Sequence, residues 1–261
     1  MALGILRRGR ARLTVERPLE EERRLTVTEH LEELRRVLIV SSCAWLVATA
    51  VAAVFNHLLL GVLEYPLTSL LAKHNHLISK PIITSPTELV TIPIEVAMVG
   101  GLVLSLPVIL WQLWTFVAPG LRRVERRFAL SFMVSGVLLF AAGACLAYFL
   151  MPFWLNLLTS IVGSNAIFFP DLNRYLSFLS LLIVAFGVTF ELPVVLVVLG
   201  LLGVVSSGWL RRQRKLAWGV IVLGAELVTP GVDPFTPLLL AVPLVGLYEL
   251  SVLVLAKPLR R

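Results

Sequence analysis

The chain has 261 residues, 58% of them hydrophobic and only 15% charged, with a mean hydropathy of +0.90. A soluble domain is nearer half apolar and a quarter charged, so the composition excludes a water-soluble globular class and indicates a membrane protein. The formal net charge of +7 belongs to clusters at the ends of apolar stretches, and the chain has no nucleic-acid, nucleotide, nucleophile-elbow or zinc-spacing motif.

In chain order, residues 1–25 are basic, mixed in charge and poorly periodic, and are expected to be a disordered extension attracted to anionic lipid. Thr26-Val27-Thr28-Glu29 reads as a capping box that opens a helix. Val27, Leu31, Leu34 and Leu38 recur at helical spacing, which predicts an amphipathic start running along the membrane surface into a first span. Apolar stretches follow at 37–63, 93–118, 128–152, 175–205, 216–228 and 235–256. A helical span needs about 20 mostly apolar residues. The first run lacks a small-residue cleavage site and is expected to remain as span 1. The segment 65–92, with Pro66, Pro81 and Pro86, is expected to form a short structured cap. The apolar segment 155–172 is expected to dip into the interface. The stretch 216–228 is short, and Thr229-Pro230-Gly231-Val232-Asp233-Pro234 is a strong turn signal, so the last two stretches read as a short helical hairpin.

Twenty of the 23 Lys and Arg residues fall on one side of this arrangement. They lie before span 1 (through Arg35 and Arg36), in the second loop (Arg122, Arg123, Arg126, Arg127), in the fourth (Arg211, Arg212, Arg214, Lys215) and in the tail 257–261 (Lys257, Arg260, Arg261). Only Lys73, Lys80 and Arg174 fall opposite. Lys and Arg favour the cytoplasmic side, so both termini are expected there. The expected fold is an all-α integral membrane bundle of six spans over 26–256, cupped, with short fifth and sixth spans. Pro107, Pro193 and Pro243 would bend spans 2, 4 and 6, since an internal proline removes a backbone bond.

Acids within the spans are the first functional suspects, because a charge in lipid costs about 3 kcal/mol on insertion scales. Glu191 lies in Phe186-Gly187-Val188-Thr189-Phe190-Glu191-Leu192-Pro193. It reads either as a contact for a ligand or partner helix, or as a protonated group bonded to the backbone that Pro193 frees. Glu95 and Glu226 read as interfacial, and Glu249 as reaching the interface near Lys257. Glu33 and Glu125 lie at the basic face. A carboxylate takes a guanidinium in a two-bond fork that lysine cannot copy, so two of them suit an arginine pair. On spacing alone, pairing of each with its own neighbouring arginines is the stronger reading. Cys43 and Cys145 are too few and too far apart for a metal or redox motif, and read as small core residues.

Four segments resemble the TatC family, the multispanning C subunit of the twin-arginine protein translocase. They are His30-Leu31-Glu32-Glu33-Leu34-Arg35; Leu106-Pro107 through Trp114 to Pro119-Gly120-Leu121 with Glu125-Arg126-Arg127; the Glu191 segment; and Thr229-Pro230 with Asp233, Leu240-Ala241-Val242-Pro243 and Leu247-Tyr248-Glu249. The resemblance covers roughly 26–255 in the family's order.

The resemblance implies six spans in the cytoplasmic membrane of a prokaryote. It implies a receptor and scaffold rather than an enzyme, exporting folded proteins with the proton-motive force and no cofactor or metal. The implied partners are twin-arginine signal peptides and single-span TatA and TatB subunits, in a multimeric complex among membrane lipids. Residue by residue, it implies that Glu33 and Glu125 bind the arginine pair, that His30, Leu34 and Arg35 support the first helix, and that Glu191 meets a partner or signal helix. It makes Asp233 an acid of the last outer loop. The chain departs from the family at Leu89-Val90, where an aromatic is usual, and at Pro237, where a glutamine tied to partner contact is common. A proton-coupled small-solute transporter using Glu191 is the alternative. Uptake that follows a pH gradient and is abolished by Glu191→Gln would favour it.

Overall fold

The computed structural model describes residues 27–74, 80–121, 128–162, 169–228 and 235–256. In order these form α1 (Val27–Val54), α2 (Asn56–His74), α3 (Glu88–Val117) with a 3-10 turn at Ala118–Gly120, α4 (Ala129–Val162), α5 (Leu172–Phe190), α6 (Leu192–Leu201), α7 (Ser207–Arg212), α8 (Arg214–Val228) and α9 (Phe235–Ala256). The extension 1–25, Thr26 of the capping box, Glu125, Asp233 and the tail 257–261 lie outside the described residues.

Four stretches are long and apolar enough to cross a bilayer: Thr28–Val54, Glu88–Gly120, Ala129–Leu157 and Leu172–Leu201. The hairpin is α8 and α9. At a rise of 1.5 Å per residue, the 15 residues of α8 reach only about 22 Å, against a hydrocarbon thickness of about 30 Å. The 22 residues of α9 reach about 33 Å, but its apolar part, Leu240–Ala256, is shorter than the four long stretches.

Two expected boundaries move. The first apolar run is not one helix: the chain turns at Phe55, whose N–H bonds the Ala52 carbonyl in a tightened i→i−3 turn. The residues from Asn56 onward belong to the cap helix α2, and the Asn56 side-chain amide donates to the Pro93 carbonyl of α3. A composition reading cannot see this break, because apolar residues continue across it. Conversely, α4 runs straight through Pro152 to Val162, so residues 155–162 extend span 3 rather than forming a separate segment. Proline deletes one hydrogen bond, and the Asn156 amide donates to the Pro152 carbonyl at 2.7 Å just beyond it. Of the three expected bending prolines, Pro107 and Pro243 lie inside continuous helices. Pro193 stands just after a real interruption at Glu191, between α5 and α6.

Packing follows from the small and branched residues on facing stripes. Helix α1 lies along α3, α4 along α5, and α9 against α6 and α8. A methyl on Gly143 of α4 would meet the Phe186 carbonyl of α5 at 2.6 Å, so glycine sets the closest approach of that pair. The largest core gathers Leu67 and Leu71 of α2, Val96 of α3, Met151 and Trp154 of α4, and Leu176, Leu179 and Phe186 of α5. The cap is thus packed into the bundle.

Pro66 explains how α2 is held. It supplies no N–H to the Val62 carbonyl one turn before it. The Tyr148 hydroxyl of α4 donates to that carbonyl at 2.8 Å, and the Tyr175 hydroxyl of α5 donates to the next one, Leu63, at 3.0 Å. The chain between α2 and α3 is tied to α5 by backbone bonds: Ile82 N–H to the Pro170 carbonyl at 3.0 Å and Leu172 N–H to the Ile82 carbonyl at 2.9 Å. Beside them the Thr84 hydroxyl lies 2.8 Å from Glu88 and 2.6 Å from Asp171. Asp171 also caps α5 by accepting the Arg174 N–H at 2.9 Å. These bonds, the Thr84 hydroxyl first and the Arg174 N–H next, hold its carboxyl below the ordinary aspartate range.

Candidate functional site

Two carboxylates singled out in the sequence are placed by the helices, at different levels of the bundle. The first, Glu33, lies in the second turn of α1. His30, one turn earlier, stacks on Phe116 at the far end of α3, with ring centroids 4.3 Å apart and planes 14° apart. That stack pins the start of α1 to the end of α3, and so fixes Glu33. Its Oε2 is 3.6 Å from His30 Nδ1, beyond hydrogen-bond length. The oxygen is buried and has no hydrogen-bond partner among the described residues. Glu33 lines an open cavity of about 500 Å³ together with Glu29, Glu32, Arg35 and Arg36. Leu34 is half-buried behind it and Arg35 is exposed. Such a place holds acceptors at a polar opening, which suits a cationic donor group and offers no nucleophile–base pair for covalent chemistry.

The second, Glu191, occupies the gap between α5 and α6. Its N–H bonds the Val188 carbonyl at 3.1 Å, and its carbonyl accepts from Val195 at 3.0 Å, so the chain passes through Pro193 with little loss of backbone pairing. The carboxyl rests over Gly136 of α4. A methyl there would stand 3.1 Å from Oε2, 3.4 Å from Oε1 and 2.7 Å from Leu110 Cδ1. Oε1 is buried without a hydrogen-bond partner among the described residues. The glycine therefore makes the notch that admits the carboxyl. Nothing in the linear sequence marks Gly136, since its partner lies 55 positions away.

The other acids behave as structural groups. Glu249 Oε2 takes Arg214 of α8 at 2.6 Å, which locks the hairpin, while Lys257 lies outside the described residues. Glu95 accepts from the Ser177 hydroxyl at 2.8 Å across α3 and α5. Glu226 is exposed. Cys43 and Cys145 are exposed as well as free, so they face outward from the helices rather than filling the core. Among the described residues no three His, Cys, Asp or Glu side chains form a metal-holding group.

An apolar hollow of about 770 Å³ opens between α1, α2, α3 and α4, lined by Phe55, Leu59, Val103, Cys145 and Phe149 among others.

Comparison with known proteins sets these features in a family. The model of the family described as Sec-independent protein translocase protein (TatC) matches residues 29–243. A TatC from Carboxydothermus hydrogenoformans is 34% identical over 219 residues, spanning 84% of this chain and 87% of that protein. One from Frankia casuarinae is 40% identical over 164 residues, a match spanning 63% of this chain but only 45% of that longer relative. A crystal structure described as the twin arginine translocase receptor TatC in DDM superposes with a TM-score of 0.77 at 34% identity, over 87% of this chain and 99% of that one.

Proposed function

The chain belongs to the TatC family of Sec-independent protein translocase subunits, and from that premise we propose that it is the signal-peptide receptor and core scaffold of a twin-arginine translocase. The observation that carries this reading is the Glu33 carboxylate. It is fixed by the His30–Phe116 stack and left with a buried oxygen that has no hydrogen-bond partner among the described residues, at a polar opening. A guanidinium supplies paired N–H donors in the geometry such a carboxylate accepts. In a translocase subunit the work is done by affinity and by a shift in population, not by bond making.

In this reading an arginine pair docks on Glu33 and Glu125. The apolar part of the signal then enters the bundle, where Glu191 meets a signal or partner helix. Single-span TatA and TatB subunits join, and folded cargo crosses the cytoplasmic membrane at the expense of the proton-motive force. Both termini are cytoplasmic, as the placement of Lys and Arg supports. The short α8 favours a locally thinner bilayer around the hairpin.

The test is site-specific crosslinking of a twin-arginine signal peptide to the protein in membranes, beside a twin-lysine control. It is run with the wild type, Glu33→Gln and Glu125→Gln. The arginine peptide is expected to crosslink to the wild type and the lysine peptide not, with the difference lost in either variant. Equal crosslinking of both peptides to the wild type would overturn the receptor reading.

A further inference from the structure

We propose that the corner between α7 and α8 is a binding site for the headgroup of an anionic phospholipid, with Arg211, Arg212 and Lys215 as the phosphate-binding cations. The corner carries four cations, and the fold treats one of them differently. Arg214 turns inward and pairs with Glu249 at 2.6 Å. One turn before it Leu210 is buried at 2% exposure, and its carbonyl accepts the Tyr248 hydroxyl at 2.8 Å. These two contacts with α9 fix which side of the corner faces the bundle.

The opposite side is therefore fixed as well. Arg211, Arg212 and Lys215 are exposed, and among the described residues no carboxylate pairs with any of them. Gln213, at φ −91° and ψ 8°, closes α7, yet its N–H bonds the Trp209 carbonyl and its carbonyl accepts from Ala217, so helical hydrogen bonding bridges the corner. Residues three, four and seven apart thus stay on one side. Arg211, Lys215 and Trp218 follow one line along that surface, and Arg212, Leu216 and Leu223 follow the next. Trp209, Trp218, Leu216 and Leu223 are all exposed large apolar groups. Along α8, going into the membrane, the surface passes from Lys215 through Leu216 and Trp218 to Leu223, with Trp209 on α7 flanking the cations from the other side.

That order matches one molecule: phosphate at the cations, glycerol backbone at the tryptophans, acyl chain on the leucines. Tryptophan prefers the headgroup level, and basic pockets at helix ends hold anionic headgroups. A free phosphate would meet the cations but leave the apolar strip without a partner. The short α8 adds a reason for a specific lipid here. Its 15 residues place the corner below the ordinary headgroup plane when the far end is level with the opposite interface. A bound anionic headgroup is then drawn toward the cations, which anchors the local thinning that hydrophobic mismatch favours.

The test uses the full-length protein in detergent, with native mass spectrometry counting retained lipid. Dioleoyl phosphatidylglycerol is titrated against dioleoyl phosphatidylcholine, with and without excess inorganic phosphate. Each cation near an anionic surface strengthens attraction about fivefold, so the wild type should prefer the anionic lipid by up to about a hundredfold. Arg211→Gln/Arg212→Gln/Lys215→Gln should lose most of that preference, while Arg211→Lys/Arg212→Lys should keep it. A tail variant of equal charge loss, Lys257→Gln/Arg260→Gln/Arg261→Gln, should also keep it. Retention by the corner triple variant, an equal loss in the tail variant, or displacement of the lipid by inorganic phosphate would each overturn the proposal. All variants are checked for wild-type unfolding temperature, and the charge-keeping pair separates a binding loss from a folding defect.

Discussion

Replacing Tyr148 by Phe removes one hydroxyl and tests why α2 is held as it is. In the wild type the Val62 carbonyl has no helical donor, because the residue one turn later is Pro66, and the Tyr148 hydroxyl at 2.8 Å is the donor that replaces it. Loss of that bond leaves an orphaned carbonyl at the membrane boundary. Such an orphan costs about 1–3 kcal/mol when buried, and hydrogen bonds between membrane helices average about 0.6 kcal/mol with a maximum near 1.7. A cost of about 1.5 kcal/mol is expected for Tyr148→Phe. In a Pro66→Ala background the alanine N–H satisfies the same carbonyl, so the hydroxyl becomes redundant and its removal should cost about 0.5 kcal/mol or less. The measurement is unfolding by SDS in mixed micelles, followed by tryptophan fluorescence, for the wild type, both single variants and the double. A coupling of about 1 kcal/mol is the predicted result. Equal costs in the two backgrounds would refute the reasoning, since they would show that the hydroxyl does not stand in for the missing N–H.

Two glycines of α4 should separate packing from function. At Gly143 a methyl meets the Phe186 backbone carbonyl, so Gly143→Ala should cost about 1–3 kcal/mol in the same unfolding assay. At Gly136 it meets only the ends of Leu110 and Glu191. Gly136→Ala should therefore cost under about 1 kcal/mol yet depress export of a folded twin-arginine reporter as strongly as Glu191→Ala does; normal export would show that the notch is dispensable. Arg214→Gln should destabilise the hairpin by about 1–2 kcal/mol, less than a fully buried pair because both side chains are partly exposed, while Arg214→Met with Glu249→Leu should recover most of the loss in the same unfolding titration. Asp171 is held below its ordinary value in the fold, so the unfolded chain takes up its proton first as pH falls. Its contribution is whole above about pH 4 and disappears as pH drops through the lower folded value. The gap in unfolding temperature between wild type and Asp171→Asn should be constant from pH 7 to 5 and close below about pH 4; a gap that does not change down to pH 2 would contradict the cause assigned to the shift.

Much of this was legible in the linear chain, for reasons that can be named. Span positions follow from the cost of burying polar backbone and side chains in lipid, which forces long apolar helices, and the four long stretches stand close to where hydropathy places them. What hydropathy cannot register is a change of direction inside an apolar run, so the turn at Phe55 and the cap helix beyond it were hidden. Proline was expected to bend spans 2, 4 and 6, and a bend is compatible with an unbroken helix. Pro107, Pro152 and Pro243 sit inside continuous helices, and only Pro193 follows an interruption. Glu191 could be chosen as a candidate because a carboxylate is costly inside a span, and Glu33 because a carboxylate suits a guanidinium and stands in a family-like motif. Their supports, Phe116 and Gly136, come from other helices and carry no local mark. Glu249 is a similar case: α8 brings Arg214 to it from 35 positions away, which no local pattern marks.

The contrast between satisfied and unsatisfied carboxylates bears on what the molecule does. Glu88 and Asp171 accept from Thr84, Glu95 from Ser177, and Glu249 holds one oxygen on Arg214. These groups tie elements together. Glu33 and Glu191 are held chiefly by packing, one by a stacked histidine and one by a glycine notch; each keeps a buried oxygen without a hydrogen-bond donor among the described residues, as Glu249 does at Oε1, but of the three only Glu249 also holds a guanidinium. An orphaned buried acceptor costs about 1–3 kcal/mol, which a marginally stable fold does not carry without compensation. A donor brought by another molecule removes that cost only while it is bound, so the same arrangement that weakens the free protein strengthens the complex. For a translocase subunit that must seize its cargo and then release it, open acceptors on rigid supports give binding without commitment. It follows that Glu33→Gln or Glu191→Gln should leave the free protein as stable as the wild type or more so, while lowering the stabilisation gained on adding a signal peptide.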